Sequence, residues 1–108
     1  MQEFLDYAHL QAMSEITGGN AYRVIDRFAA ALPDKITRIP ALMEQSGRTA
    51  LRAEIHRLKG SAVTCGFKSL GGLLHAFDPS GADDFQRLED CAKKSIAEWL
   101  SFRKTTSA

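Results

Sequence analysis

Residues 48–68 have the sequence RTALRAEIHRLKGSAVTCGFK. Apolar residues recur along it at alternating steps of four and three, which is the period of one face of an α-helix. These residues are Leu51, Ile55, Leu58, Ala62 and Cys65. Gly66 follows the last of them and is a typical helix stop. The segment therefore predicts a long amphipathic helix with one buried face.

The sequence before this helix shows the same period. A short first helix ends at Gly18-Gly19, and a second begins with Asn20 as its N-cap. The second stripe continues past Pro33 and Pro40 as far as Ser46-Gly47, which indicates either one kinked helix or two abutting helices. The first stripe consists of Leu10, Met13 and Ile16, and the second includes Ala21, Val24, Ile25, Phe28, Leu32, Ile36, Ile39 and Met43.

Two further helices are predicted after Gly66. The first is short and is followed by a turn at residues 78–81, of sequence DPSG. The second begins at Asp83-Asp84, where the helix dipole favours acids, and leaves residues 104–108 as a frayed tail. Their apolar faces consist of Phe67, Leu70, Leu74 and Phe77, and of Phe85, Leu88, Ala92, Ser95, Trp99 and Phe102.

No segment has the alternating pattern of a strand, so the predicted fold is all-α. We expect an antiparallel four-helix bundle with an additional short N-terminal helix. It would form one domain over residues 1–108, with a core at about residues 8–103. A chain of 108 residues is too short for a large catalytic scaffold such as a (β/α)₈ barrel.

Composition narrows the class of protein further. No apolar run approaches the length of a membrane span, and the acidic N-terminus does not resemble a secretory signal. The two cysteines, Cys65 and Cys91, lack disulfide or metal-site spacing, which suits a reducing cytoplasm. Cys65 falls on an apolar stripe and Cys91 beside one, which favours packing roles. We expect a cytoplasmic monomer without direct membrane contact, or the cytoplasmic end of a membrane-bound sensor.

One helix carries the positive charge of the chain. The whole sequence has a net charge of only +1, with 14 Lys and Arg against 13 Asp and Glu. Residues 48–68 contain five cations and one acid, a net +4, whereas residues 1–47 have a net −2 and residues 69–108 a net −1. The small total argues against a nucleic-acid partner, but the local excess favours one phosphoryl group on an acidic protein surface.

His56 lies on the predicted solvent face of this basic helix. At about 100° per residue it falls roughly 140° from the centre of the apolar stripe, and Gly60 falls near 180°. A glycine in an exposed helix costs about 1 kcal/mol relative to alanine, and here it leaves the imidazole without an overhanging side chain. Lys59 brings a positive charge to the same opening. A neutral imidazole is a competent nucleophile near neutral pH, so the group predicts a phosphoryl acceptor.

The string His56-Arg57-Leu58-Lys59-Gly60-Ser61-Ala62 resembles the signature of histidine phosphotransfer domains, the phosphocarriers of multistep His-to-Asp phosphorelays. The resemblance covers roughly residues 8–103. It implies that His56 is phosphorylated, that Lys59 steadies the phosphoryl group and that Gly60 gives clearance to a receiver domain. The sequence departs from the family pattern in three places. Phe67 stands where a small residue is common, and Gly71-Gly72 is expected to loosen the short helix that follows. The acidic residue that the family usually has near the end of that helix is represented here only by Asp78.

A receiver domain of a response regulator or hybrid kinase is the expected partner. It would dock on an apolar centre of Ala53, Gly60 and Val63, with Arg52, Arg57 and Ser61 around it. We predict no metal site and no cofactor in this chain, because no acidic cluster accompanies His56, and expect Mg²⁺ to come with the receiver. The chain would be a transfer intermediate and not an autonomous enzyme.

Two alternative functions, and the context in which the domain occurs, stay open at this point. The bundle could be a docking module that binds or sequesters a receiver or another regulator without phosphorylation, or a nucleic-acid binder that uses its basic helix. A chain of this length could be a freestanding carrier or the terminal domain of a hybrid sensor kinase, and we favour the second. His9 and His75 lack the neighbours of His56 and are interpreted as ordinary residues on helix flanks.

Overall fold

The computed structural model describes residues 4–78 and 83–106, and all regular elements within these ranges are α-helices. This confirms the predicted fold class. The five helices are α1 (Tyr7–Thr17), α2 (Asn20–Thr37), α3 (Ile39–Thr64), α4 (Lys68–His75) and α5 (Asp84–Thr106).

The segment with two prolines forms two abutting helices. α2 ends at Thr37 and α3 begins at Ile39, with Arg38 between them. Pro40 lies in the first turn of α3, where a backbone N–H has no acceptor within the helix and its loss costs little. Pro33 lies inside α2.

Gly47 breaks α3 into two parts. Its φ of 80° and ψ of −176° lie outside the helical region, and L-residues with a side chain rarely adopt them. The prediction that a helical segment closes at Ser46-Gly47 is therefore confirmed, although the chain resumes a helix at once. Residues 48–64 form the second part, which carries His56.

Two predicted helix ends were wrong. Asn20 does not cap α2, because it is the first helical residue and Gly19 occupies the capping position. The Thr17 hydroxyl instead accepts a hydrogen bond of 3.1 Å from the backbone N–H of Ala21. At the other end of the chain α5 continues to Thr106, so the predicted tail from residue 104 is too long. Most of the predicted turn at residues 78–81 lies outside the described residues.

Helices α2 to α5 form a bundle in which each contacts two neighbours, in the order α2, α3, α4, α5 and back to α2. Their apolar stripes meet in one core, as expected for amphipathic helices joined by short connections. The largest fully buried side chains are Trp99, Phe67, Leu5, Leu10, Ile25, Leu32, Ile36, Leu51, Leu70, Leu74 and Leu88.

α1 packs on α2, and its first turn lies beside Gly66, directly after the C-terminal end of α3. The backbone N–H of Asp6 donates to the Gly66 carbonyl at 2.8 Å, and Leu10 packs on Gly66 so closely that an added Cβ would lie 2.9 Å from Leu10 Cδ2. Gly66 also has a φ of 77°. Both the contact and the backbone conformation require glycine, so this residue joins α1 to the end of the helix that carries the site.

Candidate functional site

His56 lies on the solvent face of α3, opposite the buried Leu51 and Leu58. Within the described part of the chain its imidazole has no hydrogen bond or ion pair, so neither ring nitrogen is engaged by a neighbour. The exposure predicted from the helical wheel is confirmed. An unengaged imidazole on a rigid helix is free to act as a nucleophile or as a ligand.

The surface beyond His56 is open. A Cβ added at Gly60, one turn along the helix, would meet no atom within 4 Å. Ala53 and Ser61 are exposed, and 54% of Val63 is accessible. The small and apolar residues predicted to form a docking centre therefore all reach solvent, and a partner can approach the ring without displacing a side chain.

A cleft of about 370 Å³ opens beside His56 between α3 and the end of α4. Its apolar wall consists of Leu51, Ile55, Leu74 and Phe77. Its polar lining consists of Arg48, Arg52, His56, Lys59, His75 and Asp78. Three permanent cations face a single acid across this space, so the cleft favours an anionic group.

Lys59 lies half-buried in the wall of the cleft, with its Nζ 3.2 Å from Nδ1 of His75. An ammonium group has no lone pair and can only donate, so Nδ1 of His75 is the acceptor. A hydrogen bond in this arrangement therefore requires the His75 tautomer that carries its proton on Nε2. The contact joins α3 to α4 across 16 positions of sequence.

His75 lies exposed at the end of α4, as predicted for a residue on a helix flank, but it also contacts Lys59 and lines the cleft that contains His56. Its position in sequence next to Leu74, on the short apolar helix, places it at the edge of the α4 stripe. The pattern of apolar residues within α4 alone could not show which residues of α3 lie beside the edge of this stripe. His9 lies elsewhere, with Nε2 donating to the Thr64 carbonyl at 2.8 Å.

Gly71 lets α4 approach α3 closely. It is buried, and a Cβ at this position would lie 2.9 Å from Cγ2 of Val63. Whether Gly71-Gly72 loosens the helix stays a prediction, and the structure shows in addition that Gly71 permits a tight contact. Gly72 is exposed and faces open space. His75 and Lys59 each lie one turn from this tight contact, on α4 and on α3.

The other predicted site residues divide between the cleft and the outer surface. Arg52 lines the cleft. Arg57 is exposed and forms a 3.3 Å ion pair with Glu54 on the same helix. Ser61 is exposed outside the cleft lining, so the structure does not bring it together with Arg52 and Lys59.

Both cysteines are buried in the core, which confirms their predicted packing positions. Burial raises the pKa of the Cys65 thiol to about 11 and also raises the pKa of Cys91. Among the described residues, no group of three His, Cys, Asp or Glu side chains could hold a metal ion. No helix in the same part of the chain is long and apolar enough to cross a membrane.

A scan against protein families matches the Hpt domain model to residues 23–101, well over half of the chain. The chain belongs to the Hpt domain family. This shows the resemblance inferred from the heptapeptide to be right. The matched range contains the whole of α3 and α4, and with them His56, Lys59 and the cleft, whereas α1 lies before it.

Neither the curated proteins nor the solved structures include a significant match to this Hpt domain. The family itself carries phosphoryl groups in phosphorelays, where its members interact with receiver domains.

Proposed function

We propose that this Hpt domain is a phosphocarrier in which His56 accepts a phosphoryl group from a receiver aspartyl phosphate and passes it to another receiver aspartate. The observation that carries the proposal is the setting of His56. Its imidazole is unengaged within the described residues, faces the open surface over Gly60 and borders a cleft rich in cations.

The transfer exchanges one bond for another. The lone pair on Nε2 of His56 forms a bond to phosphorus while the bond between phosphorus and the aspartyl oxygen breaks, and the carboxylate leaves with the electron pair. The reverse sequence, with a second aspartate as the acceptor, returns the electron pair to the imidazole. In-line attack requires that the partner reach the ring from outside, which the open surface over Gly60 permits.

The cations beside His56 suit the charge of the product. A phosphoryl group on the ring brings two negative charges to the rim of the cleft, where Lys59 and Arg52 can donate charge-assisted hydrogen bonds. These bonds form only when the group is present, so they favour the phosphorylated state. Mg²⁺, which we expect in the acidic pocket of the receiver, would neutralise further charge on the transferred group.

The exposed apolar patch of Ala53, Gly60 and Val63 is proposed as the docking centre. Arg52 and Arg57 flank this patch and would attract an acidic receiver surface. Such a surface with an apolar middle and a charged rim fits a protein partner better than a nucleic acid, whose binding depends on many phosphate contacts.

The test is transfer from phosphorylated receivers. Candidate receiver domains labelled on aspartate are each incubated with the chain, and we expect label to appear on it in an acid-labile, base-stable form. His56→Gln should abolish the label, whereas His9→Gln, a second histidine outside the cleft, should retain it. Label that persists on His56→Gln would contradict the assignment. A receiver that binds tightly without transferring label would instead support a docking module.

A further inference from the structure

We propose that His75 is a positioning residue for Lys59, whose ammonium it holds at the edge of the cleft beside His56. The inference rests on the proposed function, because the phosphoryl group on His56 is what Lys59 would steady. It adds a residue on a different helix from the family signature. The evidence is the 3.2 Å contact between Lys59 Nζ and His75 Nδ1, together with the cleft that both residues share with His56.

A lysine side chain needs such a partner to act at a defined place. Its flexible stem has roughly 2 kcal/mol of rotamer entropy, and an unanchored ammonium spends most of its time in solvent. Lys59 follows His56 by three residues, so the two side chains are neighbours on the surface of α3, but the flexible stem of Lys59 also has rotamers that point its ammonium away from the ring. The acceptor on α4 selects the rotamers that point into the cleft.

Of the other charged groups around Lys59, two are cations and the acid on α3 is already paired, while the acid Asp78 also lines the cleft. Arg48 and Arg52 line the same cleft and repel an ammonium. Glu54, the acid on the same part of α3, pairs with Arg57. Since one proton of the ammonium is used by His75, the two that remain can bind phosphoryl oxygens. The neutral His75 ring therefore orients Lys59 without neutralising its charge.

The packing of α4 on α3 places His75 opposite Lys59 along the cleft. Gly71 meets Val63 at a distance that excludes a Cβ, and His75 follows it by four residues, one turn further along α4. Lys59 precedes Val63 by four residues on α3. The two side chains thus each lie one turn from the Gly71–Val63 contact, and both ends of the hydrogen bond are carried by packed helices.

The kinetic test is a double-mutant cycle on the single-turnover transfer rate from a phosphorylated receiver. We expect His75→Ala to slow transfer by about three- to tenfold, the range of one hydrogen bond. His75→Ala should have no further effect in a Lys59→Met background. His75→Asn places an amide oxygen near the position of Nδ1 and should restore most of the rate, whereas His75→Gln should not.

Three results would overturn the positioning role. They are an unchanged rate in His75→Ala, equal rates in His75→Asn and His75→Ala, and a full additional loss when His75→Ala is added to Lys59→Met. A merely structural role would lower stability without rescue by asparagine. Urea unfolding of each variant measures this directly, and the rates are compared at a temperature at which every variant is folded.

A spectroscopic test separates this inference from the proposed function. Imidazole ¹⁵N shifts of the unphosphorylated chain report which ring nitrogen carries the proton, and we expect His75 to be the Nε2–H tautomer with an Nδ1 shift that changes in Lys59→Met. An Nδ1–H tautomer would overturn the pair whether or not His56 accepts phosphate. The expected spectrum in a chain that takes no label would leave the pair intact and contradict only the carrier function.

Discussion

Arg103 on α5 holds the Asp26 carboxylate on α2 through both of its oxygens. The guanidinium Nε donates to Oδ1 at 3.1 Å and Nη2 donates to Oδ2 at 3.0 Å, while the Trp99 indole also donates to Oδ1 at 2.9 Å. The hydrogen bond from Arg103 is the largest cause that lowers the pKa of Asp26, and that from Trp99 adds to it against the opposing effect of burial. This cluster ties the first helix of the bundle to the last.

Asp26→Asn should remove a pH-dependent part of the stability. Because the folded pKa of Asp26 is lowered, the unfolded chain binds its proton first as the pH falls. The contribution is therefore complete above the unfolded pKa and is lost as pH falls through the folded pKa. We expect a loss of about 1 kcal/mol at pH 7, since an Asp26 side chain that is 40% exposed is partly screened by solvent.

Urea unfolding at pH 7 and near pH 3 measures this loss. Asp34→Asn is the matched control, since Asp34 is exposed on the same helix. The difference in unfolding free energy between Asp26→Asn and the wild type should shrink at the lower pH. An equal difference at both pH values would contradict the assigned role of the carboxylate charge.

Alanine should have opposite effects at two glycines of α3. At Gly60 the backbone is helical and an added Cβ meets nothing within 4 Å, so Gly60→Ala should stabilise the fold by about 0.5–1 kcal/mol. At Gly47, with a φ of 80°, Gly47→Ala should destabilise it by about 1 kcal/mol. Thermal and urea unfolding of the two variants provides the measurement, and a stability change of the same sign in both would contradict the description of this helix.

The two cysteines should resist alkylation in the folded state. Burial keeps their thiols protonated, with a pKa of about 11 for Cys65, and the thiolate is the reactive species. At pH 8 we expect iodoacetamide to modify neither Cys65 nor Cys91 in buffer and both in urea, as followed by intact mass. Rapid modification of the native chain would show that the core around them opens readily.

The parts of the structure that depend only on the spacing of apolar residues along one helix could be predicted from the sequence. The apolar stripe of residues 48–65 alone gave the exposure of His56, because the angle between residues on one helix is a property of the helix. The Lys59–His75 contact could not be predicted in this way. It depends on how α4 packs along α3, an extensive interface that includes the close contact of Gly71 with Val63. Asn20 was assigned wrongly as a cap for a related reason, since the turn geometry let Thr17 supply the oxygen.

A large side chain at Gly60 should block docking without unfolding the domain. Gly60→Leu places a branched group one turn from His56, on the open surface that a receiver must approach, while its Cβ has room in the isolated chain. We expect receiver affinity to fall by at least about tenfold, the cost of 1.4 kcal/mol of lost fit. Ala97→Leu is the control, at an exposed position on α5, which contacts α2 and α4. Calorimetric titration with the receiver that transfers label measures both variants, and unchanged affinity in Gly60→Leu would place the docking surface away from His56.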